Sequence, residues 1–308
     1  MAAQLMYGKP VAAEIHQRVA AGVDALKQKH GVVPRLDVVL VGKSPASQKY
    51  VQKKLEACQR LGMRACLHTF DDNVTAVQLR DHVARLSANR EVHGILVQLP
   101  LPMKIEEPAP GEIGKFDIFD AIAAEKDVDG VARHTVPELY RALQERMLFL
   151  PATALAVRRM LAFFKIETEG KTAVVVGRND ITAKPVHHML GGRMCNATAI
   201  WVHRYTPKEL HDQFMRMADI IVTSVGSEKY LLTGDIVKPG AVVIDIGTRV
   251  GPDAKLQGDT DSATVSAVAS YLTPVPGGVG PVTVAALTEN VLRAAQFAAG
   301  VGERGYTF

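Results

Sequence analysis

Cysteine is scarce in this chain: Cys58, Cys66 and Cys195 are the only three among 308 residues. Their spacing offers neither a paired framework nor a metal-ligand set, which argues against a disulfide scaffold or zinc module and for a reducing compartment. No apolar run is long enough to cross a bilayer, so no membrane partner is expected. Charge of one sign is missing as well. The 36 basic and 32 acidic residues leave a formal charge of +4 with no dense basic block. Nucleic acid is therefore not an expected partner. The opening MAAQLMYGKPV has no secretory apolar core and no arginine-rich presequence, a pattern that a trimmed organellar protein shares. Internal repeats and low-complexity tracts are absent too. What is present is length and apolar content: 308 residues, 47% hydrophobic, enough for two domains with sizeable cores.

Hydrophobic periodicity predicts a helix over 10–30, with Val11, Ile15, Val19, Val23 and Leu26 at helical spacing. Strands are predicted at 36–41, 67–70 and 93–99, with helices over 47–61 and 74–87 between them. This alternation predicts a parallel sheet covered by helices. After Asp129-Gly130 the pattern loosens until a helix from Pro151 to about Phe164. A second strand–helix series starts at Lys171, with strands at 172–177, 197–200, 218–224 and 241–246. The last helix, 282–298, is long and apolar and is expected to pack back on the first domain. The fold class is thus α/β, two α/β domains around a cleft. Residues 1–150 with 282–308 form the catalytic domain, and 151–281 form a Rossmann-like nucleotide-binding domain.

Several motifs fall at the carboxyl ends of predicted strands, where open α/β sheets bind ligands. Gly177-Arg178-Asn179 to Ala183 sits where a dinucleotide turn belongs, although Asn179 and Ala183 replace two glycines of the usual pattern. An ordinary strand–helix connection explains it equally well. Ser224-Val225-Gly226 and Gly247-Thr248 end two further strands on the same side. Tyr50 and Lys54, four apart, share one helix face. A surface lysine beside a core tyrosine is the simpler account of that pair. Gln98 ends the strand ILVQL within reach of Lys54. Asp127 and Asp129 flank Val128 in a loop, one suited to capping a turn and the other to facing the cleft. Thr206 and Glu209 in TPKE have the spacing of a helix cap, which leaves Arg204 free for a phosphate. His203 has no partner cluster and reads as structural. No ligand set for a resident metal is present. Finally, PVPGGVGPVT at 274–283 holds three prolines and three glycines, a run expected to form a rigid ribbon rather than helix. A ribbon of that kind suits a flat ligand, and a tight interdomain linker would look the same.

KYVQKK around Tyr50 and Lys54, GILVQLPLP, EKDVDG, VVVGR, GAVVIDIG, the GD at 258–259 and PVPGGVGPVTVA occur here in one order. In these landmarks the chain resembles the bifunctional methylenetetrahydrofolate dehydrogenase/methenyltetrahydrofolate cyclohydrolase family, over essentially its whole length. The resemblance implies Lys54 as the central catalytic residue, Gln98 as its hydrogen-bonding partner, Tyr50 stacking on or orienting the folate, and Asp129 binding the pterin edge. Asp127 is the second choice for that last role. Pro274, Gly277, Gly278, Val279 and Gly280 would line the folate wall. Gly177, Arg178, Asn179, Arg204, Gly226, Gly247 and Thr248 would bind NAD or NADP. The implied partners are tetrahydrofolate derivatives and a second copy, through the nucleotide-binding domain.

HRYTPKE and the PAT at 151–153 are similar to the mitochondrial NAD-linked branch, whose members are helped by magnesium and phosphate. By that likeness Arg178 and Arg204 would hold phosphate, and the compartment would be the mitochondrial matrix, with the cytoplasm as alternative. Asn196 stands at the branch's magnesium aspartate, and an amide binds a hard cation less well than a carboxylate. Direct NADP binding therefore stays open. Thr135, Pro137 and Ala154 also depart from the family pattern. A cyclohydrolase-dominant enzyme with weak dinucleotide binding is one alternative function. A catalytically silent folate-binding or partner protein is the other.

Overall fold

The computed structural model describes residues 2–140, 148–251 and 255–306. The chain opens with strand β1 (Gln4–Leu5) and helix α1 (Gly8–His30). A first strand–helix series follows: β2 (Arg35–Val41), α2 (Pro45–Arg60), β3 (Arg64–Phe70), α3 (Ala76–Ala88) and β4 (Gly94–Val97). Short helices α4 (Met103–Glu106), α5 (Lys115–Phe119) and α6 (Val136–Tyr140) come next. The second series runs through α7 (Ala152–Phe163), β5 (Thr172–Val176), α8 (Ala183–Gly191), β6 (Thr198–Val202), α9 (Lys208–Met217), β7 (Ile220–Thr223) and β8 (Val242–Asp245). A small hairpin, β9 (Arg249–Val250) and β10 (Leu256–Gln257), leads to α10 (Ser262–Ser266), β11 (Tyr271–Leu272) and the closing helix α11 (Val279–Ala298). No helix among the described residues is long and apolar enough to cross a membrane.

Two compact α/β units result. One comprises Glu14–Ala152 with Val284–Tyr306, around a three-stranded parallel sheet of order β3-β2-β4. Its central strand β2 is a buried apolar run because both faces are covered. Asp37, the fully buried charge of this strand, accepts two bonds from Arg35 at its start, at 2.7 and 2.9 Å, and pairs with His68 Nε2 at 2.9 Å. α3 is fixed at its start by a capping box between Thr75 and Gln78. Leu292 of α11 rests against Gly22 of α1, where an added Cβ would come within 2.5 Å of its side chain.

The other unit comprises residues 2–13 and Thr153–Thr283, around a six-stranded parallel sheet of order β1-β11-β8-β7-β5-β6. Its core is aliphatic, with Val174, Val176, Val202, Ile221 and Val243 all buried. The N-terminal residues correct the expected division, which gave them to the catalytic domain. Gln4 and Leu5 instead extend the larger sheet by pairing with Tyr271 and Leu272. A backbone ladder decides that membership, and nothing in a two-residue strand advertises it.

Two local expectations also change. α9 begins without a side-chain cap. Thr206 Oγ1 accepts instead from the His203 amide at 3.1 Å, tightening the turn before the helix. The ribbon at Pro274 ends earlier than expected, because Val279, Gly280 and Pro281 already lie in the first turn of α11. The first amides of a helix have no intrahelical acceptor, so a proline there forfeits no helix bond.

Candidate active site

In the smaller-sheet unit, α2 presents Tyr50 and Lys54 on one face, and the end of β4 presents Gln98. Lys54 is 8% exposed, and its Nζ donates to Gln98 Oε1 at 2.9 Å. That amide is held at both ends. Its backbone N–H donates to Val39 O at 2.8 Å, and its Nε2 donates to Leu99 O at 2.7 Å, which turns the side-chain oxygen toward the lysine. The Tyr50 ring centroid lies 5.4 Å from Lys54 Nζ, yet the residue stays 37% exposed and leaves room for a flat ligand.

The two aspartates of EKDVDG divide their tasks. Asp127 is fully buried and accepts from the amides of Val131 at 3.2 Å and Ala132 at 2.9 Å, closing the turn. Asp129 receives the Ala152 amide, and its charge acts on Lys54. Burial pulls the Lys54 ammonium below the ordinary lysine range, and Asp129 opposes that only in part. Burial likewise raises the Asp129 carboxyl, Lys54 works against the rise, and Asp127 adds to it. Desolvation thus favours the neutral lysine, the form able to take a proton.

In the larger-sheet unit, β8, β7 and β5 lie side by side and each ends in a glycine-bearing loop. Gly177 has φ 126°, and a Cβ there would stand 2.2 Å from Ser224 O, so no other residue fits this approach. Trp201 Nε1 donates to Gly177 O from β6. Asn179 Oδ1 accepts from the amides of Ile181 at 2.8 Å and Thr182 at 3.2 Å, replacing the missing glycine's role with an Asx turn. Ala183 is buried and keeps the close packing expected of a small residue. Arg178 and Arg204 converge on the exposed Tyr205, their Cζ atoms 5.1 and 4.8 Å from its ring centroid. Asn196, by contrast, precedes β6 while Arg204 follows it. Its carbonyl accepts from Gly170 N at 3.0 Å and its φ of 51° marks a turn, so the fold does not group it with the two arginines.

Sequence reasoning quoted GAVVIDIG and the GD at 258–259 as landmarks but gave no role to Asp245 and Asp259, the two carboxylates that shape the remaining loops. Asp259 accepts from Val225 N at 2.6 Å and Gly226 N at 2.9 Å. A Cβ on Gly247 would lie 2.1 Å from that carboxylate, and one on Gly226 would lie 3.1 Å from Thr248 O. Asp245 accepts from Gly247 N and Thr260 N at 2.9 Å each, from Thr260 Oγ1 at 2.6 Å and from Thr223 Oγ1 at 3.1 Å. An acid closing the apolar run VVID was the available signal. These shallow glycine loops beside a paired-arginine patch fit a dinucleotide. In the same unit Gly278 N donates to Pro274 O at 2.7 Å and Gly8 N donates to Gly277 O at 2.8 Å, pinning the ribbon to the start of α1. Of the predicted wall residues, Val279 and Gly280 are helical rather than ribbon.

Comparison with known proteins also finds two domains, although its boundaries place residues 6–13 with the first and 284–299 with the second. The tetrahydrofolate dehydrogenase/cyclohydrolase catalytic-domain profile matches residues 6–129, and the NAD(P)-binding-domain profile of the same family matches residues 151–299. A bifunctional protein FolD from Dechloromonas aromatica is 42% identical over 302 residues, covering 98% of this chain and all of the relative. The crystal structure of the bifunctional methylenetetrahydrofolate dehydrogenase/cyclohydrolase FolD from Campylobacter jejuni superposes with TM-score 0.87 at 38% identity, over 96% of this chain and 99% of that one. The Trypanosoma brucei dehydrogenase-cyclohydrolase, solved with NADP and an inhibitor, gives TM-score 0.87 at 35% identity, over 96% and 98% of the two chains. This chain belongs to the tetrahydrofolate dehydrogenase/cyclohydrolase family.

Proposed function

We propose that the protein oxidises 5,10-methylenetetrahydrofolate to the methenyl form with NAD(P) and hydrolyses that product to 10-formyltetrahydrofolate, with Lys54 as the proton carrier. The observation that carries this reading is the buried Lys54 Nζ, pulled toward neutrality and aimed by Gln98 Oε1 at 2.9 Å. In the hydrolysis, water oxygen bonds to the electrophilic methenyl carbon and gives a proton to neutral Lys54. The carbinol O–H then gives its proton to solvent as C=O forms and the bond from that carbon to N5 breaks, and Lys54 returns its proton to N5, leaving the formyl group on N10. Gln98 keeps the amine oriented, Tyr50 offers its exposed face to the folate ring system, and Asp129 binds the pterin edge. In the oxidation the protein mainly orients the methylene carbon. A bound nicotinamide supplies the hydride acceptor for that step.

Arg178 and Arg204 are the residues for a phosphate. With Tyr205 as their platform they suit the 2′-phosphate of NADP, or inorganic phosphate beside NAD. The likeness to the NAD-linked branch supports the second arrangement, and the place of Asn196 lends magnesium no support. A homodimer is the proposed assembly, from the family's habit of pairing through the nucleotide-binding domain; sedimentation as a monomer at assay concentration would overturn it. The matrix or cytoplasmic location is a matter for cell fractionation.

Methenyl absorbance followed with NAD and with NADP, each with and without phosphate and magnesium, tests the reading. Formation and then decay of the methenyl signal is expected. Decay of added methenyltetrahydrofolate without any NAD(P)-dependent formation would leave a cyclohydrolase alone. Neither activity despite folate binding would leave a binding protein. Arg204→Ala is expected to weaken the phosphate-bearing cofactor by about tenfold, the worth of one charge-assisted bond. Unchanged affinity for both cofactors would remove Arg204 from the site.

A further inference from the structure

Behind the Asp129 loop, α11 and the C-terminal tail form a closed hydrogen-bond network. Asn290 is 0% exposed, and its Nδ2 donates to Val128 O at 2.8 Å and to Leu150 O at 3.0 Å. Its Oδ1 accepts from Tyr306 Oη at 2.6 Å, and the same Tyr306 oxygen accepts from Leu150 N at 2.8 Å. One buried amide and one tail hydroxyl therefore fasten both backbone segments that flank Asp129. Val128 immediately precedes it. Leu150 lies two residues before Ala152, whose N–H donates to its carboxylate. The two segments also touch directly, since a Cβ on Gly130 would fall 3.0 Å from the Pro151 ring. The tail itself is held by Arg293, whose guanidinium lies 4.1 Å from the Tyr306 ring centroid and donates to Glu303 O at 3.2 Å and to Gly305 O.

Half-buried loops of this kind wander unless something fixes them, and a wandering carboxylate supports its partner's charge less well. We propose that Asn290 and Tyr306 are positioning residues: the C-terminal tail acts as a clasp that holds Asp129 against Lys54. This deepens the proposed function and rests on its reading of Lys54 and Asp129. The groups acting on Lys54 are Asp129 from the loop, Tyr50 on its own helix and the neutral Gln98 just past β4; Asp127 acts on Asp129 in turn, and His134 on Asp127.

The test uses full-length Tyr306→Phe, which keeps the ring against Arg293 and removes only the hydroxyl. Arg293→Lys, which loosens the tail, is the second variant. Trace acylation of Lys54 across the neutral and alkaline range, read by mass spectrometry, gives its titration midpoint without any turnover. The clasp predicts a lower midpoint in both variants, because Asp129 then supports the ammonium less. It also predicts that the pH–rate limb for methenyltetrahydrofolate hydrolysis moves to lower pH with the midpoint, while kcat on the plateau above that limb falls by about three- to tenfold with KM nearly unchanged, because a weaker and less well held base takes the proton less readily. A midpoint that stays put or rises in both variants overturns the inference, and so does a loss of thermal stability with kcat and midpoint unmoved. If Tyr306→Phe does not fold, Arg293→Lys decides by the same two readouts. A wild-type protein that does not hydrolyse methenyltetrahydrofolate sinks the proposed function instead, while the acylation arm still reports on the clasp.

Discussion

At the scale of single residues the proposed chemistry concentrates on Lys54. Replacing it with methionine keeps the stem's bulk and removes the base. Lys54→Met is expected to cut cyclohydrolase kcat by about a hundredfold or more, the usual worth of a general base, with folate affinity largely kept. Unchanged hydrolysis would end the role assigned to it. The pH dependence follows from the same burial. The lysine is held below its reference value of 10.5, so the rise in rate that accompanies its deprotonation belongs at lower pH than an ordinary lysine gives. Asp129 raises the lysine, so Asp129→Asn should move that limb lower still. A limb at the ordinary lysine position in the wild type, or no displacement in the variant, contradicts the arrangement.

At the scale of elements, the glycine loops carry the clearest steric prediction. Gly177→Ala places a methyl group into Ser224 O at 2.2 Å and forces the loop to move. A cost of about 1–3 kcal/mol in stability is expected, since φ there suits only glycine. Calorimetry should show dinucleotide affinity falling, while methenyl hydrolysis falls far less. Equal loss of both activities would mean that the change unfolds the chain generally. Much of this level was legible beforehand. Short continuous apolar runs placed the main strands and period-3.6 patterns the helices, because burial writes itself into sequence. Lys54 and Gln98 were legible as a helix residue and a strand-end residue pointing to one sheet edge. The start of α11 was not, since proline and glycine normally stop helices and only their place in the first turn makes them harmless. The Thr206 cap failed for a related reason: its hydroxyl had a nearer donor in the preceding turn. Asn290 and Tyr306 were illegible because the backbone segments they fasten lie 140 to 162 residues away in the chain.

At the scale of the whole molecule, buried acids set how stability depends on pH. Asp127, Asp129, Asp245 and Asp259 are all raised, with burial the leading cause at each. A carboxyl whose folded value exceeds its unfolded value contributes most at low pH, and that contribution fades as pH rises through the folded value. For Asp245 the window opens above the reference value of 3.8. The stability deficit of Asp245→Asn, measured by urea unfolding, should therefore narrow as pH rises from that value toward neutrality. A deficit that widens over the same range would show the carboxylate to be net stabilising in its charged form. The two-unit division was foreseen from the repeated strand–helix series. The membership of the first residues was not, because a two-residue strand leaves no periodic trace.

The indole of Trp201 reaches across from the edge strand to the carbonyl of Gly177, and the chain has no other tryptophan. Its indole emission therefore comes from one ring, coupled to the turn proposed for the nucleotide. Binding at that turn is expected to change this emission in unlabelled protein, independently of any turnover.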